Sequence, residues 1–416
     1  MGAATATPAD GPEKPVETSD GRCPCCGANT PPQPFYRVSK IPIQSCVLLD
    51  SPEEARGYER RDLELAHCTR CGFIFNHIFD SEIVEYAAVT EESQHYSGTF
   101  SGFAKKLARE IATTYPLGGK HVLEIGCGKG DFLIELCSLA DCTGLGIDPG
   151  FRHERLEKTE FAAGYDTQRI KFISDYFGPA YRHFKADLVM CRHTLEHIPD
   201  VLRFVMDIRN NIGDAPNVGV FFETPDAERV LSEGAFWDIY YEHCSYFTCD
   251  THSELFKRAG FVIDDVRLDY GDQYIIQFAH PAAQDDARRG QRYEGVRRTQ
   301  QLVEDFPDKV AMVQDKWRSF IREKAAAGKT IVTWGGGSKS VAFLTTLGLD
   351  DVIRSVVDIN PFKQGKYLPG TGHKVISPNA LADVDPDVVI VMNPIYVGEI
   401  SGMLQNLGLS CEVTAV

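Results

Sequence analysis

The stretch HVLEIGCGKGDFL, His121 to Leu133, constrains the fold more than any other part of the chain. A β-branched and apolar run reads as a strand that ends near Glu124, Gly126, Gly128 and Gly130 follow, and an amphipathic helix starts directly after them. Glycines at such a turn let the backbone come close to a ligand, and the helix N-terminus presents free N–H groups to it. Further strand-like runs, TGLGID, ADLVMCR and VGVFFE, alternate with helical segments from about residue 89 to 282. That alternation predicts an α/β fold: a doubly wound, mostly parallel sheet with helices on both faces.

By itself the glycine pattern fits any tight strand-to-helix turn, so the flanking residues matter. Asp148 ends the next strand, GLGID, where a carboxylate can take the two hydroxyls of a ribose. Asp175, in FISDYF, follows a third short strand and is placed to receive an adenine amino group. Glu124, just before the loop, suits the cationic surroundings of S-adenosylmethionine, and no pyrophosphate cradle extends the loop as a dinucleotide would need. VLEIGCGKG, GID and DLVMCRHTLEHIPD together resemble the class I S-adenosylmethionine-dependent methyltransferases over nearly all of residues 89–282. Cofactor contacts are then expected from Glu124, Gly126, Gly128, Gly130, Asp148 and Asp175, with His193 beside them after the fourth strand.

Cys23-Pro24-Cys25-Cys26-Gly27 and Cys68-Thr69-Arg70-Cys71-Gly72 each contain C-x-x-C-G. Two such knuckles supply four thiolates, Cys23, Cys26, Cys68 and Cys71, which close a tetrahedral shell and suit structural zinc rather than a catalytic metal. Cys25 falls outside the repeated spacing. A module of about 68 residues, 21–88, buries little by itself and gains from a metal.

The net charge of −16 argues against a general nucleic-acid binder. No apolar run approaches the roughly 20 residues that span a bilayer. Residues 1–20 lack the apolar core of a signal peptide and read as a disordered leader. Thirteen cysteines without such a peptide point to a cytoplasmic protein with metal-bound and buried thiols. Residues 283–328 are charged, with Leu302, Phe306, Val310, Val313, Trp317 and Ile321 at helical spacing. They predict a connecting helix a turn or two longer than average. TIVTWGGGSKS, IRSVVDIN and PDVVIVMN then repeat the strand-then-loop pattern, giving a second, Rossmann-like α/β domain over 329–416.

RHTLEHIPD brings His193, Glu196 and His197 to the C-terminal edge of the sheet, and IYYEHCSYFT, Ile239 to Thr248, follows the next strand toward the same crevice. Imidazole takes a proton at neutral pH without large tuning. His243 and His197 are therefore candidate bases, Tyr240 a hydrogen-bond donor to a growing oxyanion, and Glu242 a partner for a protonated imidazole.

Zinc knuckles, a methyltransferase core with I-Y-x-E-H and a trailing α/β domain resemble, over almost the full length, the sugar C-methyltransferases of deoxysugar biosynthesis. That resemblance implies C-methylation next to the ketone of a nucleotide-linked 4-keto sugar, with Tyr240, Glu242, His243 and His197 in the active site. It also implies a tyrosine from before the cofactor loop, which maps to SQHYS, at His95 or Tyr96. Lys339 and Lys363, near the second glycine loop, are expected to meet a phosphate of the acceptor. Two other functions fit the same motifs: O- or N-methyl transfer to another small acceptor, and a zinc-stabilised nucleotide-binding scaffold without catalysis. The sequence leaves the oligomeric state open.

Overall fold

A computed structural model describes residues 22–86, 90–213, 215–283 and 295–416. The leader expected over 1–20 lies outside the described residues, as does most of the run from 283 to 294.

The first strands are β1 (Gln33–Pro42), β2 (Arg60–His67) and β3 (Ile74–Asn76), an antiparallel set. The central sheet follows with β4 (His121–Ile125), β5 (Thr143–Ile147), β6 (Ile170–Ile173), β7 (Leu188–Arg192) and β8 (Gly219–Pro225). A short β9 (Ser245–Tyr246) leaves this sheet and pairs with β3, Ile74 facing Tyr246 and Phe75 facing Ser245. The aromatic segment Ile239 to Thr248 is thus part of the cysteine module's sheet, although it follows directly on the central sheet. The chain then returns to the central sheet with β10 (Phe261–Asp269) and β11 (Tyr274–Pro281).

Seven strands lie in the order β10-β11-β8-β7-β4-β5-β6, parallel except for β11, which runs antiparallel to both its neighbours. The chain builds outward from β4 to β6, then restarts at β7 on the other side of β4. That reversal opens a crevice at the C-terminal ends of β4 and β7, where doubly wound sheets bind ligands. Alternate residues feed two layers, as the period of a strand requires. Val122, Leu188, Met190 and Phe221 pack with the helices Gly98–Thr114 and Asp131–Ala140. Leu123, Ile125, Val189 and Phe222 pack with Val201–Ile212 and Cys249–Arg258.

The connector is longer than its apolar stripe predicts. One helix runs from Val296 to Ala326, 31 residues, with Pro307 inside it. Its N-terminal turns carry Arg297, Arg298, Gln300 and Gln301, which give no apolar signal, so the stripe itself marks only the part from Leu302 to Ile321 of the connector expected over 283–328. Phe306 packs on Phe35 and Tyr36 of β1, ring centroids 6.1 and 4.9 Å away, so the helix braces the first module.

The last sheet comprises β12 (Ile331–Trp334), β13 (Ile353–Val357), β14 (Val375–Ile376), β15 (Val388–Val391) and β16 (Glu412–Ala415). Its order, β14-β13-β12-β15-β16, is parallel throughout and places a second reversal beside β12. No helix among the described residues is long and apolar enough to cross a membrane.

Candidate active site

Gly126, Gly128 and Gly130 all take positive φ, 71°, 53° and 84°, as they leave β4. A Cβ on Gly126 would lie 1.9 Å from Thr194 Oγ1, and one on Gly130 would lie 2.3 Å from Phe172 Cζ, so neither tolerates a side chain. At Gly128 the nearest atom to such a Cβ is 3.9 Å away, which marks the open side of the loop. Asp148 holds the turn: its carboxylate accepts from the Gly128 N–H at 2.9 Å and the Gly150 N–H at 2.7 Å. Burial pushes Asp148 up to about 6 despite those bonds. Glu124 is buried with Oε2 unpartnered, and burial, opposed by Arg192, raises it to about 8. An orphaned buried carboxyl at this spot is what a cationic ligand would satisfy. Asp175 accepts from the Tyr181 hydroxyl at 2.6 Å and the Tyr176 N–H at 2.7 Å, and it keeps lone pairs for another donor.

His193 departs from its expected place on the cofactor. Its Nε2 meets Glu223 Oε1 at 3.1 Å and its Nδ1 faces Glu196 Oε1 at 3.6 Å, so both ring nitrogens are committed to carboxylates. Burial pulls the imidazole down, but Glu223 and Glu196 outweigh it and carry it up to about 9. Glu223 also binds Arg192 Nε at 2.5 Å; burial raises this carboxyl, and the two cations bring it down to about 2.

From Glu196 the array continues into the segment quoted above. Ligating atoms of Glu196, His197 and His243 lie within 4.8 Å of one another, and the two imidazoles meet edge to face at 4.8 Å. His197 Nδ1–H donates to the Glu242 carbonyl at 2.9 Å, which leaves Nε2 as the free nitrogen. No hydrogen bond holds the His243 ring among the described residues; it packs against Tyr240 at 4.7 Å. Burial, then the neighbouring His197 charge, lowers His243 to about 3, which favours the neutral ring.

Tyr240 and Glu242 differ from their expected roles. The Tyr240 hydroxyl donates to Asp238 Oδ1 at 2.9 Å; it must be the donor, because burial of Asp238 is more than offset by Lys339 and Arg229, which hold it near 2 as an anion. Its proton is therefore not free for an oxyanion. Glu242 faces Ser45 rather than an imidazole: Oε1 accepts from the Ser45 N–H at 3.0 Å and from its hydroxyl, while Oε2 stays buried and unpartnered. Ser45 in turn reaches Ser338 Oγ at 2.7 Å, so all three regions of the chain meet here.

Lys339 ion-pairs with Asp238, which removes it from the expected phosphate site. Lys363 fits that site: it is buried, its nearest carboxylate oxygen is Asp358 Oδ2 at 3.9 Å, and a Cβ on Gly337 would lie 3.6 Å from its Nζ. A cleft beside it is lined by Ser45, Cys46, Gly336, Lys366 and Tyr367.

Of Tyr86, His95 and Tyr96, all before the cofactor loop, Tyr86 is the one placed against His197. Its hydroxyl donates to the His197 carbonyl at 3.1 Å and its ring meets that imidazole at 5.5 Å. His95 is wedged between Phe100 and Phe161, and Tyr96 packs near Phe362. In SEIVEYAAV the only local sign of Tyr86 is an aromatic in an aperiodic stretch, and Asp238 carries no motif at all.

The knuckle sulfurs form one buried cluster, with Cys23 to Cys71 at 3.6 Å and Cys26 to Cys68 at 3.8 Å. Four sulfurs about 2.3 Å from a tetrahedral zinc would be about 3.8 Å apart, so the set fits that ion. Gly27 and Gly72 take φ of 67° and 76° and return N–H bonds to Cys23 O and Cys68 O at 2.8 and 2.7 Å.

Sheet order, glycine loop and strand-end acid define a class I S-adenosylmethionine-dependent methyltransferase. Residues 99–266 match the methyltransferase-domain family, and residues 286–408 match the C-methyltransferase C-terminal domain. The chain thus joins a region that matches the methyltransferase-domain family to one that matches the C-methyltransferase C-terminal domain. It is 28% identical over 372 residues to C-methyltransferase NovU of Streptomyces niveus, covering 85% of each protein. A shorter match, 33% over 119 residues, is to a ubiquinone biosynthesis O-methyltransferase of Thiobacillus denitrificans, covering 28% of this chain and 49% of that one. Among solved structures, the dimethyltransferase RosA of Streptomyces davawensis aligns with a TM-score of 0.35 at 21% identity, over 44% of this chain and 56% of its own.

Proposed function

We propose that the enzyme methylates a carbon next to a ketone in a small metabolite, a nucleotide-linked 4-keto deoxysugar. The observation that carries this reading is His243, whose ring makes no hydrogen bond among the described residues and lies against His197 and Glu196, at the edge of the crevice beside the cofactor loop. Transfer to carbon needs a base that removes a weakly acidic α-proton, and two convergent segments supply it.

In this account His243 takes the α-proton, and Glu196 beside it balances the imidazolium that forms. Because the Tyr240 proton is committed to Asp238 and His197 holds its one proton on Nδ1, His197 meets the enolate oxygen as an imidazolium, with a second proton taken up from solvent on Nε2 before the α-proton is removed. Tyr240 and Tyr86 wall the site and exclude water. The Gly126–Gly130 loop, Glu124 and Asp148 would hold S-adenosylmethionine, which when bound supplies an electrophilic sulfonium methyl. The nucleotide part of the acceptor would lie toward Gly335–Gly337, with Lys363 on a phosphate. Cys23, Cys26, Cys68 and Cys71 would hold a structural zinc, and a chain so rich in thiols suits the cytoplasm.

Proton removal can be read without methyl transfer. Wild-type enzyme with S-adenosylhomocysteine and a nucleotide-linked 4-keto sugar in D2O is expected to exchange the α-hydrogen for deuterium. His243→Asn is expected to slow that exchange by about 10²- to 10⁴-fold and to keep S-adenosylhomocysteine binding. Unchanged exchange in the variant would sink the base assignment.

A further inference from the structure

The two glycine loops are joined by a continuous run of buried hydrogen bonds. In the C-terminal domain, the Gly336 N–H donates to Asp358 Oδ2 at 2.7 Å, the same bond that Gly128 makes to Asp148 at 2.9 Å in the central domain. Asp358 Oδ1 accepts from the Asn360 N–H at 2.7 Å. The Asn360 side-chain NH2 donates to Glu91 Oε1 at 3.0 Å, while its Oδ1 is fixed by the Phe362 N–H at 3.0 Å. Glu91 then accepts from Lys129 Nζ at 2.6 and 2.8 Å, and Lys129 sits between Gly128 and Gly130. Glu91, Lys129 and Asn360 are 3%, 7% and 2% exposed, so water does not stand in for any of these partners.

Glu91 is also held through its backbone, whose N–H donates to the Cys46 carbonyl of the first module at 2.8 Å. One residue therefore ties the three together, the cofactor loop and the C-terminal glycine loop through its carboxylate and the N-terminal module through its backbone. A buried ion pair is sensitive to the placement of each partner, because a displaced charge is left unsatisfied in a low dielectric. Moving Asn360 would shift Glu91, and with it the lysine that shapes the loop.

We infer that Glu91 and Asn360 are positioning residues that couple cofactor binding on the Gly126–Gly130 loop to the state of the C-terminal glycine loop. The inference rests on the cofactor lying at that first loop. A domain that makes no cofactor contact in this account thus sets cofactor affinity, and by reciprocity the cofactor sets the affinity of the C-terminal loop for its ligand.

Calorimetry with S-adenosylhomocysteine on the full chain tests this. Asn360→Ala is expected to weaken binding by about 5- to 10-fold. Asn360→Asp, which sets a second carboxylate against Glu91, is expected to weaken it further at pH 8 and to regain much of that loss, relative to wild type, at pH 6 as the two carboxylates come to share a proton. A merely structural role for Asn360 would give no such recovery. If Asn360→Asp does not fold, Asn360→Ala and Asn360→Ser report the same affinity. Binding that stays within about twofold of wild type in the Asn360 variants, or an Asn360→Asp variant that loses as much affinity at pH 6 as at pH 8, overturns the coupling. Asp148→Ala provides the reference: if the wild type binds and Asp148→Ala binds equally well, the cofactor placement fails instead. A wild type that binds no S-adenosylhomocysteine overturns both.

Discussion

At His193 two buried carboxylates hold one imidazole, and the consequence is a pH dependence with a definite sign. The folded-state value, about 9, lies above the unfolded value near 6.5. The stabilisation is therefore complete below about pH 6.5 and disappears as the pH rises through about 9. His193→Asn is expected to cost about 1 to 3 kcal/mol in urea unfolding near pH 6, and markedly less near pH 10. An equal cost at both pH values would show that the ring acts by packing on Tyr274 rather than by charge. Sequence placed this histidine at the right edge of the sheet, yet its partner Glu223 is 30 residues away on β8 and only the fold brings them together. The same limit applies to Lys339 and Asp238, 101 residues apart, whose ion pair no local pattern announces.

Among the elements, β9 has the largest functional weight for its size. Two residues, Ser245 and Tyr246, join the segment that carries His243 to β3, and β3 follows directly on the second cysteine knuckle. Metal in that cluster should then stabilise the segment that carries His243. Purified protein is expected to contain one zinc per chain by elemental analysis, and structural zinc of this kind contributes on the order of 10 kcal/mol to folding near neutral pH. Chelation, or Cys68→Ser, should lower the melting temperature and also abolish α-hydrogen exchange, although no cysteine of the cluster belongs to the proposed active site. Full exchange activity in zinc-free protein would separate the module from the chemistry. The knuckles themselves were legible because chelation fixes their spacing. The strand that docks on them was not, since two residues give no period to read.

At the scale of the whole molecule, the doubly wound core was legible from the alternation of apolar runs and glycine turns, which sheet geometry imposes on local sequence. How the three regions close around one site was not, because contacts such as Ser45 with Glu242 and Ser338, or Glu91 with Lys129 and Asn360, join positions scattered along the chain. That closure is the basis for assigning the acceptor to the space between the central and C-terminal domains and for expecting attack from carbon. The most direct measurement supplies the enzyme with S-adenosylmethionine labelled with carbon-13 in its methyl group and a nucleotide-linked 4-keto deoxysugar, then locates the label by NMR. The account expects the labelled methyl on the carbon beside the ketone, coupled to that ring carbon. A labelled methyl on oxygen or nitrogen would contradict it.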